Sequence, residues 1–130
     1  MKRKESSYPK DWMRIGEKEL KRARNLLGLG DLEGAGFNLQ QALEKYFKAY
    51  LLSRGWKLRR IHDLETLLNE AVVYDVSFEE YRAACQKTTQ YYIEERYPLA
   101  AASELTEKEM RESLAVTERV IVKIRDFLRE

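Results

Sequence analysis

Residues 31–54 read DLEGAGFNLQQALEKYFKAYLLSR, and their spacing decides the fold. Ala35, Leu39, Ala42, Leu43, Tyr46, Tyr50 and Leu51 recur at helical spacing, which puts them on one core-facing side of a long α-helix. Asp31 stands at the N-cap, where a carboxylate accepts from the first free backbone amides, and Gly55 ends the segment. Phe37, Gln41, Lys45 and Lys48 fall on a second stripe offset from the first, with Gln40 and Glu44 beside it. The spacing predicts a solvent-facing polar strip with an aromatic at its top. An isologous dimer seam is the alternative, because eight tyrosines and two tryptophans exceed what a small core easily hides.

The flanking segments repeat the helical period. Residues 11–27 set Trp12, Ile15, Ala23, Leu26 and Leu27 on one face, with Gly28 and Gly30 as the stop. A short helix begins near Asp63 and buries Leu64, Leu67, Leu68, Ala71 and Val72. Ser77 with Glu80 forms an S-x-x-E capping box that opens a fourth helix, with Phe78, Tyr81, Cys85, Thr88 and Tyr92 as its seam and Pro98 as its end. Thr106 with Glu109 opens a fifth, carrying Met110, Leu114, Thr117, Ile121, Ile124 and Leu128. There is no β-alternation, repeat or low-complexity tract. The expected fold is all-α, an up-and-down bundle of four long helices plus one short one. A flexible basic segment over residues 1–10 precedes a single domain over 11–130.

Composition bounds the function. The 130 residues carry 24 basic and 22 acidic side chains; 44% of the chain is hydrophobic and 35% charged. That is too apolar for a disordered chain and too charged for a membrane protein, and no signal-like segment follows the MKRKESS start. A cytoplasmic protein is expected. The near-zero balance hides an uneven layout: nine Lys or Arg against four acids in residues 1–24, then Arg54, Lys57, Arg59 and Arg60, then six acids and no Lys or Arg from His62 to Glu80. A basic loop beside an acidic helix suits an anionic ligand or a partner of mixed charge, while composition alone favours an ordinary solvated surface.

Most conventional chemistries drop out on spacing. GLGDLEGAG, residues 28–36, lacks the third glycine of a dinucleotide fingerprint, since position 33 is Glu33, and no G-K-[ST] follows. Gly34 and Gly36 are expected instead to let the start of the long helix approach a neighbour. One histidine and one cysteine make no zinc quartet, and Cys85 lies on a core seam as an inert small hydrophobe, so no metal and no cofactor are expected. Two residues remain. His62 exchanges a proton near neutral pH or donates to a phosphate, or else packs at the start of the third helix with Asp63 as its cap. Arg96, the one basic residue among Tyr91, Tyr92, Glu94, Glu95 and Tyr97, forks onto a phosphate while a tyrosine stacks on a base, or else pairs with a neighbouring glutamate.

NLQQALEKYFKAYLLSRGW (Asn38–Trp56), HDLETLL (His62–Leu68), YYIEERYP (Tyr91–Pro98) and the opening DWMRIGEKELKRARNLL (Asp11–Leu27) together resemble the HEPN family of small prokaryotic domains. The resemblance implies a homodimeric helical bundle, supposed nucleotide binding, and pairing with a minimal nucleotidyltransferase or a place in a toxin–antitoxin pair. Many toxin members are metal-independent RNases carrying an arginine and, four to six residues on, a histidine. Arg96 matches the arginine, while Ala101, Ala102 and Ser103 occupy the histidine window. Without that histidine only the cation is present locally, and the catalytic residues stay unassigned. The expected function is an accessory dimer that binds a nucleotide or RNA phosphate through Arg96, His62, Lys45, Gln41 and Tyr92. A non-catalytic scaffold is the alternative, and an RNase with an altered motif ranks last.

Overall fold

The computed structural model describes residues 5–96 and 106–129, the side chains of 91–96 excepted. It contains α1 (Pro9–Gly28), α2 (Leu32–Ser53), α3 (Leu64–Tyr74), a 3-10 segment (Val76–Tyr81), α4 (Arg82–Arg96) and α5 (Glu107–Arg129). No strand occurs among the described residues. The four long helices and one short one are those the apolar spacing predicts. Pro98, taken from the sequence as the end of the fourth helix, lies outside the described residues.

Local chemistry sets most of the boundaries. Asp31 Oδ1 accepts from the Gly34 amide at 2.9 Å, Asp63 from Glu65, and Thr106 Oγ1 from Glu109. Gly30 and Gly55 sit at φ +82° and +91°, a conformation costly for residues with a Cβ, and each stands just past a helix end. The fourth helix departs from expectation. Asp75, not Ser77, caps the turn: its carboxylate accepts both the Ser77 amide (3.0 Å) and the Ser77 hydroxyl (2.6 Å). Ser77 is thereby a donor, and a 3-10 segment precedes α4. At the other end of the chain, α1 begins at Pro9, and Trp12 Nε1 donates to the Ser6 carbonyl at 2.7 Å, tying residue 6 to the helix.

α2 is the axis of the molecule. It packs along α1 and also meets α3, α4 and α5, so it is buried on nearly every side. Its predicted core face is all buried, and Phe47 and Ala49 are buried as well. Phe78 packs on Phe47 (5.9 Å between centroids) and Tyr50 (4.8 Å), and Tyr50 on Phe127. The core therefore hides Tyr46, Tyr50, Trp12 and Trp56, more aromatic bulk than the sequence argument allowed it. On α1, Leu20 and Gly16 are buried while Ile15 is exposed and Leu26 only half-buried, a rotation of the expected face. The close approach between α1 and α2 runs through Gly16, where an added Cβ would stand 2.8 Å from the Tyr46 ring. At Gly34 the Cβ would instead meet the Asp31 carboxylate, so that glycine serves the cap rather than a neighbouring helix.

Candidate phosphate site around Glu44

Gln40, Glu44 and Lys48 recur at i, i+4 and i+8 on α2, with Gln41 and Lys45 one step round. The solvent-facing strip expected there is not solvent-facing. Glu44 is 0% and Lys48 1% exposed, and Gln41 and Lys45 are half-buried. Two distant pieces of chain cover the strip. Trp12 of α1 lies over the Lys48 ammonium, 5.0 Å from ring centroid to Nζ. The extended segment before α3 brings in His62, whose carbonyl accepts from Gln40 Nε2 at 3.4 Å.

Three nitrogens converge on the Glu44 carboxylate. Lys45 Nζ lies 2.7 Å and Lys48 Nζ 3.5 Å from Oε2, and His62 Nδ1 lies 3.3 Å from both oxygens. Lys45 also reaches Gln41 Oε1 at 3.4 Å, and Gln41 donates to Gln40 at 2.6 Å. A buried carboxylate is tolerated only with such partners. Burial also acts on Lys48, pushing its ammonium below the ordinary lysine range, with the Glu44 charge opposing the shift. His62 is 66% exposed, so its ring spans the buried carboxylate and solvent. With Nδ1–H donated to Glu44, Nε2 is left as the acceptor for a ligand.

The cluster faces a cavity of about 280 Å³ lined by Glu5, Ser6, Trp12, Ile15, Lys45, Lys48 and His62. Arg60, two residues before His62, is exposed and has no acidic partner among the described residues, whereas Arg59 pairs with Glu70 at 2.8 Å. At this cavity Lys45 and Lys48 stand against Glu44 and Glu5, with the His62 ring beside them. Among the described residues no group of three or more His, Cys, Asp or Glu side chains is placed to hold a metal ion, and no helix is long and apolar enough to cross a membrane.

Of the residues expected from the sequence, Gln41, Lys45 and His62 meet in this cluster. Tyr92 and Arg96 belong to the backbone of α4, and their side chains lie outside the described residues, as do Ala101–Ser103. Sequence reasoning missed Glu44, Lys48, Gln40 and Trp12 as site residues. The available signal was the i, i+4, i+8 recurrence of polar residues on the most apolar-flanked helix. Cys85 is buried, and desolvation pushes its thiol up to about 12, in keeping with an inert packing role.

The sequence profile of the HEPN domain matches residues 9–127. No curated protein matches the sequence significantly. Among solved structures, TT1696 from Thermus thermophilus superposes with a TM-score of 0.79 at 29% identity, covering 93% of this chain and 98% of that one. ST0689, an archaeal HEPN homologue, superposes with a TM-score of 0.72 at 23% identity, covering 92% and 96%; at that identity the likeness is one of fold. With nearly the whole chain matched and the same bundle in both neighbours, this protein belongs to the HEPN domain family.

Proposed function

We propose that the protein is a dimeric accessory subunit that binds a nucleotide or RNA phosphate at the Glu44 cluster and serves a minimal nucleotidyltransferase in a toxin–antitoxin-type pair. The observation that carries the ligand reading is the convergence of Lys45, Lys48 and His62 on one buried carboxylate beside a cavity. Such a cluster is a costly way to stabilise a bundle, and an effective way to hold donors in fixed directions at a cavity. Lys45 offers its remaining donor to a phosphate oxygen, His62 Nε2 accepts from a ligand hydroxyl, and Glu44 fixes the direction from which they do so. Family membership supports the dimer and the partner. Arg96 is the further phosphate contact the reading requires.

The test is thermal stability against a panel of nucleotides and short single-stranded RNAs, for wild type, Lys45→Ala and Arg96→Ala. A ligand at about 100 times its Kd adds about 2.7 kcal/mol, which raises Tm by several degrees. The expected result is a shift in wild type that both variants lose, each read against its own unliganded Tm. No shift with any ligand sinks the reading in favour of a scaffold. Sedimentation velocity on the same samples tests the dimer.

A further inference from the structure

A second and larger groove, of about 880 Å³, lies between the first turns of α1 and the last turn of α5. It shares no lining residue with the Glu44 cavity. Its apolar part is Pro9, Met13 and Leu128, the last two half-buried against the core, with Tyr8 71% exposed at the edge. Six charged side chains complete the lining: Lys10, Arg14, Arg125 and Arg129 against Asp11 and Glu17.

Both acids are already paired. Asp11 lies 3.3 Å from Arg14, and Glu17 lies 3.8 Å from Arg125. Lys10 and Arg129 are exposed and have no acidic partner among the described residues, so the groove lining carries two surplus positive charges. Arg125 is held in place, since its Nη2 donates to the buried Tyr46 hydroxyl at 3.0 Å. Tyr8, at the N-cap, offers no side-chain acceptor to the first turn of α1. A carboxylate arriving there meets both the cations and the positive end of a 20-residue helix.

We propose that this groove docks an acidic amphipathic segment of a partner protein. Apolar side chains of the segment seat against Met13 and Leu128, and its carboxylates pair with Lys10 and Arg129. The aliphatic lining decides between macromolecules. A nucleic-acid strand gains from cations and from rings that stack on bases, but gains nothing from Met13 and Leu128, whereas a peptide uses both halves of the groove.

Fluorescence anisotropy of the full chain with a labelled Leu/Glu amphipathic peptide tests this, beside its Leu/Lys counterpart and a single-stranded RNA. The Leu/Glu peptide is expected to bind saturably, more weakly at high salt, and at least about tenfold more weakly to Lys10→Glu/Arg129→Glu. Both positions are exposed, so the variant keeps its fold, and circular dichroism checks it; Tyr8→Ser supplies a second variant with the same expected direction. The charge-reversed protein is expected to retain the nucleotide-induced Tm shift, which keeps this groove apart from the Glu44 site. Equal affinity for wild type and variants overturns the proposal, as does equal binding of the Leu/Lys peptide. RNA binding that the same variants abolish, with no peptide binding, reassigns the groove to nucleic acid.

Discussion

Glu44→Gln removes one negative charge and changes almost no volume. In wild type the carboxylate faces Lys45 at 2.7 Å, Lys48 at 3.5 Å and His62 at 3.3 Å. The three partners respond differently to its loss. His62 is mostly exposed, and Lys45 is exposed enough to turn its ammonium to water. Lys48 has neither escape: it is 1% exposed and keeps only the Trp12 ring at 5.0 Å and the more distant Glu5 charge. Removing one partner of a buried ion pair costs about 3–5 kcal/mol. Because Lys48 loses its proton more easily than an ordinary lysine, it can shed the stranded charge, and the lower end of that range, about 3 kcal/mol at pH 7, is expected. For a domain of this size that is a loss on the order of 10 °C in Tm.

The pH dependence carries a definite sign. The folded-state pKa of Lys48 lies below its unfolded value, so between the two the unfolded chain binds the extra proton and stability rises with pH. Loss of Glu44 removes a neighbour that holds the proton on, which widens this window downward. The deficit of Glu44→Gln relative to wild type is therefore largest near neutrality and shrinks as pH rises toward about 10. Urea denaturation at pH 7 and pH 9.5, with Lys48→Met completing a double-mutant cycle, measures it. The expected coupling is at least about 1 kcal/mol, with the double variant more stable than Glu44→Gln alone. A Glu44→Gln protein within about 0.5 kcal/mol of wild type at pH 7, or strict additivity in the cycle, would refute the claim that Lys48 depends on Glu44.

Three other perturbations follow from single contacts. Gly16→Ala pushes a methyl to 2.8 Å from the buried Tyr46 ring and is expected to cost about 1–3 kcal/mol despite alanine's better helix propensity, measured by chemical denaturation. The Cys85 thiol, buried and pushed up to about 12, should react with a disulfide reagent at pH 8 only as fast as the domain opens, so its rate should rise with urea in step with unfolding; a fast reaction in native buffer would contradict its packing role. Tyr46 and Tyr50 are both raised above the ordinary tyrosine range, chiefly by burial. Their contribution is fully present below about pH 10 and is lost as pH rises through the folded-state values, so wild type should lose stability above pH 10 and Tyr46→Phe should lose less over the same interval.

What was legible in the sequence is what local physics decides. Helix ends were readable because Asp31, Asp63 and Thr106 cap neighbours two or three residues away, and Gly30 and Gly55 take backbone angles that other residues resist. The start of α4 was misread because two caps competed within three residues, and the Asp75 carboxylate captured both donors of Ser77. Burial of the polar strip was not readable at all. A period says which residues share a face, never what covers it, and here the cover comes from Trp12 and His62, far away in the chain. Ile15 and Leu20 exchange places on α1 for a related reason. Gly16 lets that helix settle onto Tyr46, and the contact keeps Trp12, Ala23 and Leu27 of the expected face buried while leaving Ile15 outside.

The same cluster separates a structural purpose from a functional one. Were Glu44 and Lys48 present for stability, an apolar pair would serve better, since replacing buried ion pairs with packed apolar groups is often neutral or stabilising by about 1–4 kcal/mol. Two buried charges in the helix that anchors the whole core are what the proposed ligand site requires. The double variant Glu44→Gln/Lys48→Met decides this with two readouts on one sample. It retains Lys45 and His62 at the cavity but withdraws the carboxylate that orients them and the second ammonium. The expected outcome is a protein that recovers most of the stability lost in Glu44→Gln and yet gives no Tm shift with the ligand that shifts wild type. If the shift survives intact, the charges are not what holds the phosphate. If instead the double variant falls below Glu44→Gln in stability, the ion pair is part of the scaffold and the site lies elsewhere on the bundle.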